Sequence, residues 1–341
     1  MDAGTKNTGG TVMFHRKSSA LVVAVAGFVC AVMMPGANAQ DLTGRPVTLI
    51  VPFSPGGGTD IIARTVAPRL GERLRTSVVV ENRPGAAGSI AAQFTARSAP
   101  DGHTLMIGST SEIGINPSLY ADLPYDVDRD FIPVTPLAST PMVLVVDPSS
   151  PIKTAADLVQ LAREQPGALT FASAGVGSGA HLAAELFLHE TKTKMTHVPY
   201  KGVGQAFADV IGAQKGMVLF TSLPSATALA ASGKLRVVAV STRERTSLMP
   251  DVPTFVEAGI PEYVLEYWYG IVAPAGTPAE VLTTLHAQTA DTLRQPEVKE
   301  TLARQGLAPI DLTPEEFSAF VRADMARWAE VVKAAGLKLK N

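Results

Sequence analysis

Residues 47–60 read VTLIVPFSPGGGTD, an apolar run that leads through three successive glycines to a Thr-Asp pair. The run at 47–53 predicts a buried strand, and Thr59 followed by Asp60 predicts the capped start of a helix. Glycines in such a turn expose backbone N–H groups, and the positive end of the following helix favours an anion. The stretch therefore predicts an α/β unit with a candidate anion site. A tight structural turn is the equal alternative.

A second glycine-rich loop, SAGVGSGAH at 173–181, follows a predicted strand at 169–173 and precedes another predicted helix. The same physical argument makes it a second candidate anion site. Gly175, Gly177 and Ala180 also fit the dinucleotide pattern G-x-G-x-x-A. The next predicted strand, at 196–201, does not end in the acidic residue that a dinucleotide site uses, so dinucleotide binding is disfavoured.

Predicted strands and helices alternate along the remaining chain, which favours parallel α/β units. Pro68 should kink or split the first helix, and Thr154 with Asp157 predicts a capping-box start. Apolar segments at 131–146 and 266–273 predict two crossings between lobes. We therefore expect two doubly wound α/β domains joined by a two-segment hinge: lobe 1 at 41–140 and 270–341, lobe 2 at 141–269. The loops after the first strand of each lobe should face one cleft.

The N-terminus has the three parts of a secretory signal peptide. A basic cluster at 15–17 precedes a charge-free run at 20–34, and Ala37-Asn38-Ala39 fits signal peptidase. We expect residues 1–39 to be removed near Ala39 and the mature protein to be periplasmic. A membrane anchor is the alternative, but fifteen apolar residues are short for a span of about 20. Cys30, the only cysteine, lies in this segment, so neither disulfides nor thiolate metal sites are expected.

The net charge of −2 gives no reason to expect nucleic acid as a partner. The six histidines are scattered without metal-ligand spacing, so neither a metal nor another cofactor is expected. Ser178 and His181 could in principle serve a periplasmic hydrolase, but the G-x-S-x-G pattern is absent from the sequence. The favoured interpretation is a monomeric binding protein that is not an enzyme.

An ordered series of longer segments is similar to one known family. The series includes RPVTLIVPFSPGGGTDIIAR at 45–64, VVVENRPGAAGSIAA at 78–92, FASAGVGSGAHLAAELF at 171–187, DVPTFVEAG at 251–259 and YGIVAPAGTP at 269–278. Over nearly the whole mature chain, the sequence resembles the Bug family, the TctC-like receptors of tripartite tricarboxylate transport. Many relatives carry acidic residues in the segment matching 213–217, where this chain has Lys215.

The resemblance implies a two-lobed periplasmic-binding-protein (Venus-flytrap) fold that captures a small organic carboxylate for inner-membrane transporter subunits. A ligand-sensing module that feeds a signalling receptor is the alternative. The family holds a carboxylate largely through main-chain amides of the two glycine-rich loops. Position in the family and at predicted strand ends gives these ligand-binding candidates: Phe53, Ser54, Gly56, Gly57, Gly58, Thr59, Asp60, Ser109, Thr110, Asn116, Ser173, Gly175, Gly177, Ser178, His181, Tyr200, Asp209 and Thr221.

Overall fold

The computed structural model describes residues 42–212, 216–334 and 336–337. The predicted signal peptide and Lys215 lie outside these residues. Within them the strands are β1 (Val47–Val51), β2 (Val78–Asn82), β3 (Thr104–Ser109), β4 (Phe131–Val146), β5 (Thr170–Ser173), β6 (Thr196–Pro199), β7 (Met217–Ser222), β8 (Arg236–Val240), β9 (Glu266–Pro274) and β10 (Ala308–Pro309).

The helices of the same residues are α1 (Gly58–Leu74), α2 (Ser89–Ala96), α3 (Asn116–Leu119), α4 (Val127–Asp130), α5 (Ala155–Glu164), α6 (Gly179–Thr191), α7 (Val203–Gly212), α8 (Leu223–Ala231), α9 (Ala279–Arg294), α10 (Pro296–Arg304) and α11 (Pro314–Ala334). A 3-10 turn spans Ala86–Gly88, and a π-helix spans Thr110–Ile115. Helix α1 continues through Pro68 without being split. The capping box predicted at Thr154 and Asp157 is confirmed.

Two sheets share the long strand β4. The first sheet has the order β2-β1-β3-β9-β4, with β10 also paired to β4, and the second continues as β4-β7-β5-β6, with β8 also paired to β4. Strand β4 pairs with β9 from Phe131 to Pro141 and with β7 from Met142 to Val146. The change of partner at 141–142 lies beside the predicted lobe boundary, but the lobe boundaries themselves stay a prediction.

The parallel pairs bring several strand ends to one place. β1 is parallel to β2 and β3 in the first sheet, and β5 is parallel to β6 and β7 in the second. Helices α1, α6, α7 and α8 begin just after β1, β5, β6 and β7, respectively. Their N-termini therefore lie at the carboxyl ends of the strands, where open α/β sheets bind ligands. Among the described helices, none is both long and apolar enough to cross a membrane.

Candidate functional site

A pocket with about 430 Å³ of empty space lies where these strand ends from the two sheets meet. The N-terminal residues of α1, α6, α7 and α8 all contribute to its wall, together with two tyrosines of β9. Its lining residues are Phe53, Gly57, Gly58, Thr59, Ser111, Met142, Ala174, Ser178, Gly179, Ala180, Val203, Thr221, Ser222, Ser225, Tyr267 and Tyr269. Every polar side chain in this lining is a hydroxyl.

The N-terminus of α1 supplies free hydrogen-bond donors to this pocket. Gly57 is the N-cap and offers no side chain, so the backbone N–H groups of Gly58, Thr59 and Asp60 have no acceptor among the described residues. Unsatisfied first-turn amides and the positive end of the helix dipole favour an anion. Since the lining contains neither Lys nor Arg, these amides rather than a cationic side chain would hold a negative charge.

Asp60 shapes the loop before α1 and turns its carboxylate away from the pocket wall. It accepts hydrogen bonds from the Gly56 N–H at 3.0 Å and from the Arg64 and Asn82 side chains at 2.9 Å each. Asn82 also donates to the main-chain oxygen of Phe53 at 3.0 Å. Burial alone would raise the pKa of Asp60, but these hydrogen bonds outweigh it and hold the pKa below its usual value.

The second glycine-rich loop uses most of its own amides. The N–H groups of Gly175, Gly177 and Ser178 donate to Ser173 Oγ, His181 Nδ1 and the main-chain oxygen of Gly175. This differs from the expectation that these amides meet a ligand, because the loop closes on itself. At the start of α6, the Ser178 hydroxyl caps the N–H of His181. The Ala180 N–H has no acceptor among the described residues and lies on the pocket wall.

The rings of His181 and His197 stack beneath this loop, with their centroids 4.2 Å apart. His197 Nε2 lies 2.6 Å from Ser173 Oγ, so both rings support the loop from below. Burial, with a smaller contribution from His181, lowers the pKa of His197 to about 3. His197 is therefore neutral near pH 7. The His181 ring contacts Gly177 and Glu185 rather than the Ser178 hydroxyl, so this pair is not arranged as a nucleophile and its base.

Strand β9 places two tyrosines on the pocket side. Tyr267 and Tyr269 project to one face because side chains alternate along a strand, and Trp268 projects to the other face. Tyr267 Oη lies 2.7 Å from Ser109 Oγ and 2.6 Å from Ser111 Oγ. The Tyr269 hydroxyl lies so close to Gly58 that a Cβ at that position would overlap it.

Direct contacts connect elements of the first sheet with loops of the second. Tyr120, just after α3, donates to the main-chain oxygen of Val176 at 2.6 Å. Ser111 Oγ accepts a hydrogen bond from the Gly179 N–H at 2.7 Å. Near the first glycine-rich loop, Ser54 packs so closely on Gly202 that a Cβ there would lie 2.7 Å from Ser54 Cβ. These contacts join the two sheets beside the pocket, which stays partly open to solvent.

The structure brings some predicted candidates to the pocket wall and places others behind it. Those on the wall are Phe53, Gly57, Gly58, Thr59, Ser178 and Thr221. Those that do not line it are Ser54, Gly56, Asp60, Ser109, Thr110, Asn116, Ser173, Gly175, Gly177, His181, Tyr200 and Asp209. Most of the second group hold the loops or the π-helix in place.

Asn116, Tyr200 and Asp209 form hydrogen bonds within the protein and do not line this pocket. Asn116 is buried and donates to the main-chain oxygen of Ala87 at 3.0 Å, which fastens α3 to the 3-10 turn. Tyr200 and Asp209 are hydrogen-bonded to each other, and Asp209 is exposed. Burial and the neighbouring carboxylate raise the pKa of Tyr200 to about 12.

The list of ligand-binding candidates did not include several lining residues, namely Ser111, Met142, Ala174, Gly179, Ala180, Val203, Ser222, Ser225, Tyr267 and Tyr269, although Ala174, Gly179 and Ala180 lie in the second candidate anion loop. A signal existed for some of them. The alternation in the sequence Tyr267-Trp268-Tyr269 puts the two tyrosines on one face of a strand. Ser222 and Val203 are placed by the same rule that placed Thr59, since each begins a helix after a predicted strand. Met142 has no such signal.

Comparison with known proteins places this chain in a defined group. The family model described as "Tripartite tricarboxylate transporter family receptor" matches residues 62–337. Protein BugT of Bordetella pertussis is 36% identical over 323 residues, which cover 94% of this chain and 97% of that protein.

Two solved structures are similar over most of the chain. The structure of periplasmic binding protein BugD has a TM-score of 0.83 at 30% identity and covers 87% of this chain and 99% of its own. An R. palustris protein solved with adipate has a TM-score of 0.84 at 36% identity, with coverages of 88% and 100%. The predicted two-lobed periplasmic-binding-protein fold is thereby confirmed.

Proposed function

Because the chain belongs to the tripartite tricarboxylate transporter receptor family, we propose that it captures a small carboxylate-bearing metabolite in the pocket between its lobes. Lobe 1 would comprise residues 41–140 and 270–341, and lobe 2 residues 141–269. Strand β4 supports this division, since it changes its pairing partner at 141–142. The family and fold are those of binding proteins rather than enzymes.

The uncapped N-terminus of α1 carries the proposal. Three backbone N–H groups, those of Gly58, Thr59 and Asp60, lack acceptors among the described residues and lie at the start of a helix that lines the pocket. A carboxylate supplies two oxygens to such donors, and the Ala180 N–H would add one from the opposite side. The backbone amides of a helix start are already ordered, so they bind an anion without losing side-chain conformational entropy. A long cationic side chain would lose such entropy when it became ordered on the ligand.

The size and polarity of the pocket support a small ligand. The cavity itself is small, about 50 Å³, within about 430 Å³ of empty space that is partly open to solvent, so the site as it stands suits only a small ligand group. Its hydroxyls can bind a second polar group, while Phe53, Met142 and Val203 offer apolar contacts to a carbon chain. The R. palustris neighbour was solved with adipate, which combines these features. This likeness supports an aliphatic carboxylate without naming which one.

The remaining parts of the proposal concern location and partners. Residues 1–39 would direct export, the mature chain would act as a monomer in the periplasm, and inner-membrane transporter subunits would receive the loaded form. The family description supports the receptor role. A pull-down with the loaded protein distinguishes transporter subunits from a signalling receptor as the partner.

The proposal is tested with the mature chain from Gln40 and a library of organic acids that includes adipate, each paired with its uncharged methyl ester. At a ligand concentration 100 times Kd, mass action adds about 2.7 kcal/mol to the free energy of unfolding. We therefore expect one or more acids to raise the melting temperature by several degrees, and calorimetry to give one site per chain. The paired esters should give no shift, because they carry no negative charge for the α1 amides.

Two results would contradict the proposal. One is a library in which no acid changes the melting temperature, and the other is equal binding of an acid and its ester. Release of a hydrolysed product from the esters would instead favour the enzyme alternative.

A further inference from the structure

Four buried residues form a continuous chain of hydrogen bonds from the pocket wall into the first lobe. Ser111 Oγ lies 2.6 Å from Tyr267 Oη, which lies 2.7 Å from Ser109 Oγ, and Ser109 Oγ lies 2.8 Å from Glu112 Oε2. At the outer end, Ser111 accepts from the Gly179 N–H of the second lobe. We call Glu112, Ser109, Tyr267 and Ser111 the hydroxyl chain. Ser111 and Tyr267 line the pocket, whereas Glu112 is fully buried behind them.

Each hydroxyl in the chain has a single proton, so the direction of every hydrogen bond depends on Glu112. When Glu112 is ionised, Ser109 donates to it, Tyr267 donates to Ser109, and Ser111 donates to Tyr267. The Ser111 proton is then used inside the chain, and Ser111 turns only a lone pair toward the pocket. A carboxylate ligand would meet this lone pair unfavourably.

Protonation of Glu112 on Oε2 reverses the whole chain. Glu112 then donates to Ser109, Ser109 donates to Tyr267, and Tyr267 donates to Ser111. Ser111 now accepts from both Tyr267 and the Gly179 N–H, which uses both of its lone pairs. Its own proton is free to point into the pocket, where it can donate to a carboxylate oxygen.

We propose that Glu112 is a positioning residue for ligand binding, whose proton turns the Ser111 hydroxyl into a donor toward the bound carboxylate. Where Glu112 of the free protein is ionised, binding of one carboxylate ligand is then linked to the uptake of up to one proton from solvent at Glu112. This inference rests on the proposed function, because it assumes an anion in this pocket. It adds a residue that touches neither the ligand nor the pocket surface.

The surroundings of Glu112 support a proton at this position. Burial raises its pKa to about 8, more than its hydrogen bonds lower it, and its Oε1 atom has no partner among the described residues. The described part of the chain places no Lys or Arg in hydrogen-bond contact with it. Burial also raises the pKa of Tyr267 well above its usual value, so that hydroxyl keeps its proton.

The titratable side chains that interact electrostatically with Glu112 are Tyr125 before α4 and Tyr267 and Tyr269 on β9. Helices α11 and α6 also pack on the π-helix, and their titratable and charged residues are Glu315, Glu316, Arg322, Asp324, Arg327, Glu330 and Lys333 on α11 and His181, Glu185, His189 and Glu190 on α6. The Tyr125 hydroxyl donates to the main-chain oxygen of Glu112, and Asp324 lies beside Gly114. A negative ligand near the hydroxyl chain would raise the pKa of Glu112 further, which acts in the same direction as the reversal.

The sign of the pH dependence follows from linkage. A group whose pKa rises on binding takes up protons, so affinity is highest below the free-protein pKa and falls above it. We expect the Kd for adipate to be constant from pH 6 to 7 and to rise above pH 8 by up to about tenfold per pH unit. Calorimetry at pH 9 in two buffers of different ionisation enthalpy should report uptake approaching one proton per adipate.

Two variants test whether the pH dependence of the Kd for adipate arises from the hydroxyl chain. Glu112→Gln has no carboxyl proton to exchange, and Tyr267→Phe breaks the chain while leaving Glu112 in place. Glu112→Gln should bind adipate with a Kd that does not change between pH 7 and 9.5, whereas Tyr267→Phe should keep only the weaker pH dependence that the charge of Glu112 exerts through space. Glu185→Gln, which removes a different carboxyl near the start of α6, should keep the wild-type pH profile. Thermal melts establish that each variant is folded, and if Glu112→Gln does not fold, Tyr267→Phe decides.

The outcomes separate this inference from the proposed function. Adipate binding with a pH-independent Kd and no proton uptake in the wild type would overturn the role of Glu112 while leaving carboxylate capture intact. The same would follow if Glu112→Gln or Tyr267→Phe kept the wild-type profile. If neither adipate nor any other acid of the library binds between pH 6 and 9.5, both the proposed function and this inference fail.

Discussion

Gly58 is the position where a single methyl group should change the pocket most. A Cβ there would overlap the Tyr269 hydroxyl and lie 2.6 Å from Ser222 Oγ, whereas a Cβ at Gly57 would lie 3.7 Å from its nearest neighbours. Overpacking of this kind costs about 1–3 kcal/mol, and relief of the strain would move Tyr269 or the start of α1, which both line the pocket. We therefore expect Gly58→Ala to raise the Kd for a bound carboxylate by about tenfold or more.

Gly57→Ala is the matched control, since its methyl group meets only ordinary van der Waals contacts. Its Kd should stay within about threefold of the wild type, because each tenfold change requires 1.4 kcal/mol. Titration calorimetry on both variants measures the difference. Equal affinities for the two would show that the α1 terminus does not face the ligand.

At the same scale, the sequence predicted the chemistry of the first glycine-rich loop better than the direction of single side chains. Thr59 and Gly58 were predicted on the wall because the backbone itself turns at a helix start. Asn116 and Asp209 were predicted to bind the ligand because of their position in the sequence, but position alone does not say where a side chain points. The bond from Asn116 to Ala87 connects residues 29 positions apart, so nearby sequence could not reveal it.

At the scale of elements, helix α11 is fastened to β9 through aromatic contacts. The Phe317 ring is fully buried and packs edge-on against Trp268, with centroids 5.6 Å apart, and it fills the space above Gly270. Removing such a ring leaves a cavity, and Phe→Ala changes in cores cost about 3–5 kcal/mol. We expect Phe317→Ala to lower the free energy of unfolding by about that amount in a urea titration.

Phe320 provides a control on the same helix face. Its ring also contacts Trp268, at 5.8 Å, but 36% of the residue is exposed. Because solvent already reaches this ring, Phe320→Ala should cost no more than about 1–2 kcal/mol. Similar losses for both variants would contradict the view that α11 is held through the buried ring.

Helix starts and strand ends were predictable because their determinants are local. The capping box of Thr154 and Asp157 and the hydroxyl cap of Ser178 each depend on residues within a single turn. For the pocket wall formed by β9, the strand itself could be predicted from the sequence, but the face that meets the pocket could not. Alternation along a strand sends Trp268 to the face opposite Tyr267 and Tyr269, but it does not say which face meets the pocket. The π-helix at Thr110–Ile115 has no comparable local signal, and it carries Ser111 and Glu112.

For the whole molecule, the arrangement of two lobes followed from the alternation of elements and from the family resemblance, whereas the contacts between them did not. Tyr120 and Val176 are 56 residues apart, and Ser111 and Gly179 are 68 apart. These contacts join the two sheets beside the pocket. A binding protein whose lobes are joined in this way needs less ligand-derived free energy to reach the bound form, because part of the closure is already stabilised.

Tyr120→Phe tests this view, since it removes the hydrogen bond to Val176 and keeps the ring that packs on Gly177. One such bond contributes about 1 kcal/mol net, so the closed population should fall and Kd should rise by up to about fivefold. Small-angle scattering without ligand should show a larger radius of gyration. Tyr200→Phe loses a hydroxyl that bonds Asp209 within one lobe and should leave both quantities unchanged. If Tyr120→Phe matched Tyr200→Phe in both measurements, closure would depend on the ligand rather than on contacts between the lobes.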